Sequence, residues 1–176
     1  DIGALAFAGS LTGNGSVSDE VKMGNGSSIA GASLSAIIDL EIANNASVTM
    51  TADQNNGFVT GTITAGASET INISGNSGTV TGLSNIEAYV LADDSGDNAV
   101  NFIVKAAGQS VTATSADDAI VFDIGTLAYT SGTLKGDLGA DDTLKMGNGA
   151  STVGANLVDV ETLELVSGAS VMMTAA

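Results

Sequence analysis

The 176-residue sequence lacks histidine, cysteine, arginine, proline and tryptophan altogether. Without histidine or cysteine it can form no Ser-His-Asp triad, thiol nucleophile, disulfide, or zinc site built from those side chains. Carboxylate pairs could still support glycoside hydrolysis, but sugar-processing clefts usually offer aromatic platforms, and aromatic residues make up only 3% of this chain. We therefore expect that the protein is not an enzyme.

Positive charge is also scarce, because 20 acidic residues stand against 4 lysines and give a net charge of −16. Such a chain is repelled by nucleic-acid phosphates and by anionic lipid surfaces. Its apolar runs, such as residues 119–122, are far too short to cross a bilayer. We expect neither a nucleic-acid partner nor insertion into a membrane.

The residues that are abundant point to an exported protein. Glycine, with 23 residues, is accompanied by many Ser, Thr, Asn and Asp residues, a composition that fits secreted bacterial surface proteins. The acidic surplus also suits a solution rich in divalent cations, which bridge or screen carboxylates. No signal peptide is visible in residues 1–10, so we expect a processed product or a fragment. The expected location is extracellular, at the cell surface.

Internal repetition is the strongest pattern in the chain. The segment DEVKMGNGSSIAGASLSAIIDLEIANNASVTMTA, residues 19–52, returns as DTLKMGNGASTVGANLVDVETLELVSGASVMMTA, residues 142–175. The offset is 123 residues, and 18 of the 34 aligned positions are identical. The segment DIGALAF at residue 1 likewise matches DIGTLAY at residue 123. We predict one long β repeat unit at 1–122 and the first part of a homologous unit at 123–176, unless the two form one continuous β domain.

Short β-branched segments alternate with turns rich in Gly and Asn, which predicts a nearly all-β chain. The predicted strands cover residues 4–7, 21–23, 37–42, 48–50, 59–64, 71–73, 86–91, 100–104, 111–113, 120–122, 127–129, 144–146, 160–165 and 171–173. Similar strand openers at Val21, Ile71, Ile120 and Leu144 are 50, 49 and 24 residues apart, which suggests coils of about 24–25 residues. This spacing favours a parallel β-solenoid or β-roll with a core of Ala, Val, Ile and Leu. An antiparallel β-sandwich is the alternative.

The acidic openers are candidate calcium sites, because Ca²⁺ binds carboxylate and carbonyl oxygens. The segment GADDTLKMG, residues 139–147, resembles the Gly- and Asp-rich nonapeptides of RTX proteins. That resemblance implies turns that hold calcium between coils, although the segments here are isolated rather than consecutive. The candidate ligands are Asp19, Asp93, Asp94, Asp97, Asp117, Asp118, Asp141 and Asp142. The alternative is that these residues start turns and keep the surface soluble.

Two further segments, LSNIEAYVL from Leu83 and LVDVETLELVSGASVMMTA from Leu157, share one pattern. It resembles repeats of surface-layer (S-layer) proteins and of giant adhesins, many of them exported by the type I pathway. The resemblance implies a cell-surface or matrix role and names no ligand. Glu87 and Glu161 occupy matching positions, and we expect them to be structural, either bonded to the backbone or solvated.

These observations predict a structural extracellular protein that assembles with itself into a surface layer, fibre or matrix through unprotected β-edges, stabilised by calcium. Lys22 and Lys145 fall in equivalent coils. They could form a stacked ladder, lie where neighbouring molecules meet, or be solvated side chains of an exposed strand. Because the chain begins and ends in equivalent segments, its last part could stack head to tail against a neighbour. The alternative is a monomeric β adhesin module that binds a surface glycan or a protein, which an exposed cluster of Tyr89, Tyr129 and acidic turns would indicate.

Overall fold

The computed structural model describes residues 1–15, 19–75, 78–92, 99–114, 119–137 and 141–174. It is almost entirely β, with 42% strand and 4% helix. The elements in chain order are β1 (Ser10–Thr12), β2 (Glu20–Met23), β3 (Ser33–Ser35), β4 (Asp39–Ile42), β5 (Ser47–Met50), α1 (Ala52–Gly57), β6 (Ile63–Thr64), β7 (Thr70–Ile73), β8 (Gly78–Thr81), β9 (Ala88–Leu91), β10 (Val100–Ile103), β11 (Ser110–Ala113), β12 (Ile120–Gly125), β13 (Thr133–Lys135), β14 (Thr143–Met146), β15 (Asn156–Val158) and β16 (Thr162–Leu165). Within these described ranges, no helix has the length and apolar character needed to cross a membrane.

The strands pair in parallel throughout and stack into long sheets. The longest sheet has six strands in the order β15-β13-β11-β9-β7-β5, and the next has five in the order β16-β14-β12-β10-β8. A three-stranded sheet, β2-β4-β6, and a two-stranded sheet, β1-β3, lie towards the N-terminus. The chain therefore winds as a β-solenoid of about six turns, which confirms the predicted solenoid rather than the sandwich.

Each coil of the solenoid has three sides. Side 1 carries the six-stranded sheet, side 2 carries β1, β3, α1 and the five-stranded sheet, and side 3 carries the three-stranded sheet. On side 2 the helix α1 takes the place of a strand, and the side-chain amides of Asn55 and Asn56 hold it against the next coil by donating hydrogen bonds to backbone carbonyls of β8. Side 3 continues beyond β6 as turns and as isolated bridges that join Ala128, Ser151 and Met172.

The coils are shorter than the sequence spacing predicts. Partners along the six-stranded sheet are 18–23 residues apart; Ser47, for example, pairs with Thr70. The predicted 24–25 residues are wrong because the strand openers are not equivalent positions; Leu144, for example, pairs with Phe122 rather than with Ile120. Val21 lies in β2 on side 3, Ile71 in β7 on side 1 and Ile120 in β12 on side 2. Their spacings therefore count single sides as well as whole coils.

One continuous core fills the coils. Buried and partly exposed residues alternate along most strands, so that Val48 and Met50 of β5 point inward and are fully buried. The core is not limited to small aliphatic residues, because both tyrosines and three of the four phenylalanines are buried in it. Tyr89 and Phe102 meet edge to face, with ring centroids 4.9 Å apart.

The two copies of the repeated sequence adopt the same local structure on different sides of the solenoid. Strand β2 and its copy β14 are each followed by a bridge residue, Ser28 in the first copy and Ser151 in the second. However, β2 lies on side 3 and β14 on side 2, so the second copy is turned by one side about the axis. The predicted unit boundary between residues 122 and 123 falls inside β12, and the five-stranded sheet runs across it.

Candidate functional site

The candidate ligand Asp142 lies at a corner between coils, where its side chain is fully buried. Its Oδ1 accepts a hydrogen bond from the backbone N–H of Ile120, and its Oδ2 accepts one from the N–H of Asp137, both at 2.7 Å. The carboxylate thereby ties the start of β12 to the segment that follows β13. Both of its oxygens have backbone donors, which is the arrangement of an aspartate that holds a corner together.

Burial raises the pKa of the Asp142 carboxyl from 3.8 to about 6. Removal from water is the largest cause, because it disfavours the charged form. The two backbone N–H donors act in the opposite direction, and the carboxylates of Asp137 and Glu161 raise the pKa further. Asp142 is therefore a buried acid that changes charge in mildly acidic solution.

Glu87 and Glu161, the two glutamates in matching positions, each accept a hydrogen bond from the backbone N–H of a buried acidic residue. Glu161 Oε2 accepts a hydrogen bond from the N–H of Asp142 at 2.9 Å, and Glu87 Oε2 accepts one from the N–H of Glu69 at 3.1 Å. Glu69 is itself fully buried, and its Oε1 accepts the N–H of Asn45. These contacts confirm the expected structural role of Glu87 and Glu161.

Two other candidate calcium ligands lie within the described residues. Asp19 Oδ2 accepts the N–H of Asn14, as Asp142 accepts the N–H of Asp137 in the second copy, and Asp141 is exposed. The remaining candidates lie outside the described residues: Asp93, Asp94, Asp97, Asp117 and Asp118. Within the described ranges, no group of three or more Asp, Glu, His or Cys side chains could hold a metal ion. Calcium binding stays a prediction.

A lysine in each copy stands in a row of acidic side chains on the outer surface. Lys22 of β2 pairs in register with Glu41 of β4 and forms an ion pair with it. Lys145 Nζ lies 3.3 Å from Asp123 Oδ2, and the residue pairs in register with Glu164 of β16. Lys22 and Lys145 do not form one stacked ladder, because β2 lies on side 3 and β14 on side 2; each lysine instead pairs with carboxylates of adjacent coils. Exposed ion pairs of this kind contribute little to stability.

The last coil has apolar side chains on the face that a following coil would cover, and these side chains are exposed. Their copies in the first repeat are buried. Leu163 is 44% exposed and Met173 is 42% exposed, whereas their copies Leu40 and Met50 are both 0% exposed. In the first repeat this surface is covered by β6 and β7, which pair with β4 and β5. We call the outer face of β15, β16 and residues 171–173 the C-terminal edge.

The opposite end of the solenoid is open in the same way. Phe7 and Leu11 are partly exposed, whereas their copies Tyr129 and Leu134 are fully buried against the coil that contains β11. Leu5, in the same first coil, is 65% exposed. We call the outer face of residues 2–7 and β1 the N-terminal edge.

The two tyrosines whose exposure would indicate the alternative adhesin module lie inside the core. Tyr89 is 1% exposed, and its hydroxyl donates to Asn55 Oδ1 and accepts the N–H of Leu83. Tyr129 is 0% exposed, and its hydroxyl donates to the carbonyl of Gln109. Because each hydroxyl has a partner in the interior, the rings can be buried without leaving an unpaired polar group. Burial raises the pKa of both phenols.

Two glutamines join neighbouring coils through hydrogen bonds, and the sequence gives no indication of this role. Gln109 is 1% exposed, its Nε2 donates to the carbonyls of Leu83 and Ile86, and its Oε1 accepts the N–H of Lys105. Gln54 makes the corresponding three bonds in an earlier coil. Glutamine is usually a surface residue, so a lone Gln carries no sequence signal for such a role.

Known proteins give no direct guide to this chain. Comparison with protein families, with curated proteins and with solved structures found no match. Its function is therefore inferred from its own residues, and the two open edges are the feature whose chemistry is most specific.

Proposed function

We propose that the protein is a structural, self-assembling component of an extracellular surface layer, fibre or matrix. The observation that carries the proposal is the stacking of similar coils, which pair with one another through parallel strands along the described part of the solenoid. The strands at the edges of such sheets carry unpaired N–H and C=O groups, which pair readily with another chain.

Covering the C-terminal edge would remove several apolar side chains from water. Leu163, Leu165 and Met173 are each a little under half exposed. Full burial of such a side chain stabilises by roughly 1.5–3 kcal/mol, so covering all three contributes about 2–4 kcal/mol. Pairing of the free strand edges adds to this. We expect an assembly that depends on protein concentration.

The extracellular part of the proposal is supported by composition and by resemblance. The repeats resemble those of S-layer proteins and type I-secreted adhesins, and the chain lacks the histidine and cysteine of the Ser-His-Asp and thiol catalytic sites. Its net charge of −16 makes molecules repel one another unless ions screen them. Assembly should therefore increase with ionic strength.

Size-exclusion chromatography with light scattering tests the proposed self-assembly. We expect particles larger than the 17.2 kDa monomer as protein and salt concentrations rise. Leu163→Asp places a charge on the C-terminal edge and should prevent their growth. Val59→Asp is the matched control, because Val59 is 42% exposed and lies away from both edges. Wild-type protein that stays monomeric under all these conditions would overturn the proposal.

We also propose that calcium stabilises the assembled form. The support is the acidic surplus together with the Asp-rich turns that resemble calcium-binding nonapeptides. Particle size and melting temperature should both be higher in millimolar calcium than in chelator, and a variant carrying Asp117→Asn and Asp118→Asn should respond less. Asp53→Asn, in the first turn of α1, is the control. Equal values in calcium and chelator would remove calcium from the proposal and leave self-assembly standing.

A further inference from the structure

We infer that two copies of this chain pack side by side through the outer face of side 1, with their solenoid axes antiparallel. This inference rests on the proposed self-assembly and specifies a lateral contact and its partner. The surface is the outer face of the six-stranded sheet, which we call the side-1 face. It points away from the solenoid axis, so coils stacked above or below it leave it uncovered.

The outward side chains of side 1 form two rows that run in register across the six strands. All but one of them are uncharged, and most are small and half-buried between their neighbours. The side-1 face is therefore even and nearly free of charge. The first row consists of Ser47, Thr70, Ala88, Ser110, Thr133 and Asn156, and the second of Thr49, Asn72, Val90, Thr112, Lys135 and Val158.

The other two sides carry acidic residues in their outward rows. Side 2 presents Asp123 and Glu164, and side 3 presents Glu20 and Glu41. In a chain with 20 acidic residues and 4 lysines, contact through these sides brings carboxylates together. Like charges that face each other across strands are destabilising. Among the described outward rows, only those of side 1 let two copies meet without opposing acidic side chains.

Polar groups on the side-1 face bind one another across the coils. Asn72 Nδ2 donates to Ser47 Oγ at 2.8 Å and to the carbonyl of Val48 at 3.0 Å. The N–H of Thr133 donates to Ser110 Oγ at 3.1 Å. A buried polar group is costly when it has no hydrogen-bond partner, and these groups keep their partners when water is excluded. A second copy can therefore cover the face at a small desolvation cost.

The area of the face indicates a contact that is weak between two isolated molecules. Strands about 4.8 Å apart and three or four residues long cover roughly 25–30 Å along the axis and about 10–13 Å across it. Stable protein pairs bury about 800 Å² on each partner, which is about twice this area. We expect dimers only at high protein concentration. In a layer or fibre that already holds the molecules together, the same contact becomes effectively intramolecular and forms readily.

The single lysine favours antiparallel axes. Lys135 lies on β13, second from one end of the sheet, and β7 is second from the other end. With antiparallel axes and aligned sheets, β13 of each copy lies opposite β7 of the other, whose outward residues are the uncharged Thr70 and Asn72. Parallel axes would place both lysines in the same coil and bring their charges together.

Cysteine cross-linking tests the contact and its direction, because the chain contains no cysteine of its own. Thr70→Cys and Thr133→Cys place single thiols in the same outward row, on β7 and β13. In an equimolar mixture, a short bis-maleimide should link mixed dimers about tenfold faster than homodimers, since like thiols would lie three coils, about 14 Å, apart along the axis. A heavy nitrogen isotope in one variant identifies the mixed dimer by mass spectrometry.

Two valines form a matched pair that tests the need for an uncharged face. Val90 lies near the middle of side 1 and Val121 in the middle strand of the five-stranded sheet, both half-buried between uncharged partners in register. Val90→Asp should lower the yield of mixed dimers about tenfold, because it would bury an unpaired carboxylate in the contact. Val121→Asp should leave the yield unchanged. If Val90→Asp melts at a lower temperature than Val121→Asp, Ser110→Asp replaces it on the same face.

Other results would overturn the inference in distinguishable ways. Homodimers of Thr70→Cys that form as fast as mixed dimers would overturn the antiparallel arrangement. Equal yields for Val90→Asp and Val121→Asp, with wild-type particles still forming, would place the contact on another surface and leave self-assembly intact. Binding of monomeric protein to crystalline cellulose that Val90→Asp abolishes would make a polysaccharide the occupant of the face. A wild-type protein that stays monomeric at all concentrations refutes the proposed function itself.

Discussion

The carboxylate of Asp142 fills the space into which a side chain on Gly136 would project. A Cβ at residue 136 would overlap both Asp142 Oδ2 and the carbonyl oxygen of Asp159 in the next coil. The first repeat has the same relationship between Gly13 and Asp19. Glycine at these positions lets the coils approach closely at the corner where the buried aspartate binds the backbone.

Gly136→Ala should therefore destabilise the protein. The added methyl group must displace the Asp142 carboxylate from its two backbone donors, and each hydrogen bond to a charged group is worth about 1.5–3 kcal/mol. We expect a loss of about 2–4 kcal/mol, seen as a fall in melting temperature of roughly 5–15 °C by circular dichroism. Gly57→Ala is the control, because a Cβ there meets open space. Similar melting temperatures for the two variants would show that the corner relaxes.

Asp142 should make the stability of the protein depend on pH. Its pKa in the folded protein is about 6, above the ordinary 3.8, so the folded state binds this proton more tightly than the unfolded state. The stabilisation from the bound proton is fully present below about pH 4 and is lost as the pH rises through about 6. A shift of about two units corresponds to roughly 2–3 kcal/mol.

Asp142→Asn isolates this contribution from those of the other acidic residues. The free energy of unfolding, measured with urea in chelator, should fall by about 2–3 kcal/mol between pH 4 and pH 7 in the wild type relative to the variant. Asp141→Asn, which changes the exposed neighbour, should follow the wild type. A constant difference between wild type and Asp142→Asn across this range would contradict the prediction.

Gln109→Leu should be costly although it keeps the size of a buried side chain. The carbonyl of Ile86 and the N–H of Lys105 would lose their partner in a site closed to water, and the carbonyl of Leu83 would keep only the N–H of Ile86. We expect a loss of about 2–4 kcal/mol in urea unfolding. Gln54→Leu removes the same set of bonds at a half-buried position, so its loss should be smaller. Equally small losses for both variants would argue against the role of burial.

Amide protons of β16 should exchange with solvent faster than those of β11. Each coil contacts only its neighbours, so the last coil opens at a lower free energy than the middle of the solenoid. Assembly through the C-terminal edge should slow exchange in β16 and leave β11 almost unchanged. Hydrogen–deuterium exchange on dilute and assembled samples measures both. Unchanged exchange in β16 on assembly would count against the C-terminal edge.

The strands that can be predicted from sequence are those with two inward apolar side chains. Strand β5 has Val48 and Met50, and β7 has Ile71 and Ile73, so their alternation is visible. The prediction misses β8 and the three-residue strands β1, β3, β13 and β15. Apart from β15, which is NLV, each has a single large apolar residue between polar or small residues, as in SLT, TLK or GTVT. One apolar residue cannot display a period, and only the stacking of coils defines these strands.

The structure of the segment around α1 also cannot be predicted from the periodicity of its apolar residues. The sequence predicts a strand at residues 59–64, but only Ile63 and Thr64 form one. The preceding six-residue helix is too short to show a 3.6-residue period. Its only sequence signal is the capping box, in which Thr51 and Gln54 bond each other's backbone N–H.

The open edges illustrate what a local pattern cannot determine. Leu40 and Leu163 occupy the same position in nearly the same sequence, so any local pattern treats them alike. Their exposures differ because β6 pairs with β4, whereas β16 has a single partner strand among the described residues. Exposure in a solenoid depends on the next coil in space, and that information lies some 20 residues away in the chain.

The second copy of the repeat is turned by one side about the axis relative to the first. The repeat length of the sequence is therefore not a whole number of coils. A duplication of this length need not contain a whole number of coils, since each side accepts a strand of similar build. The outward rows that contain Lys22 and Lys145 consequently point in different directions around the axis. The protein therefore displays one chemical pattern twice, on two different sides of the solenoid.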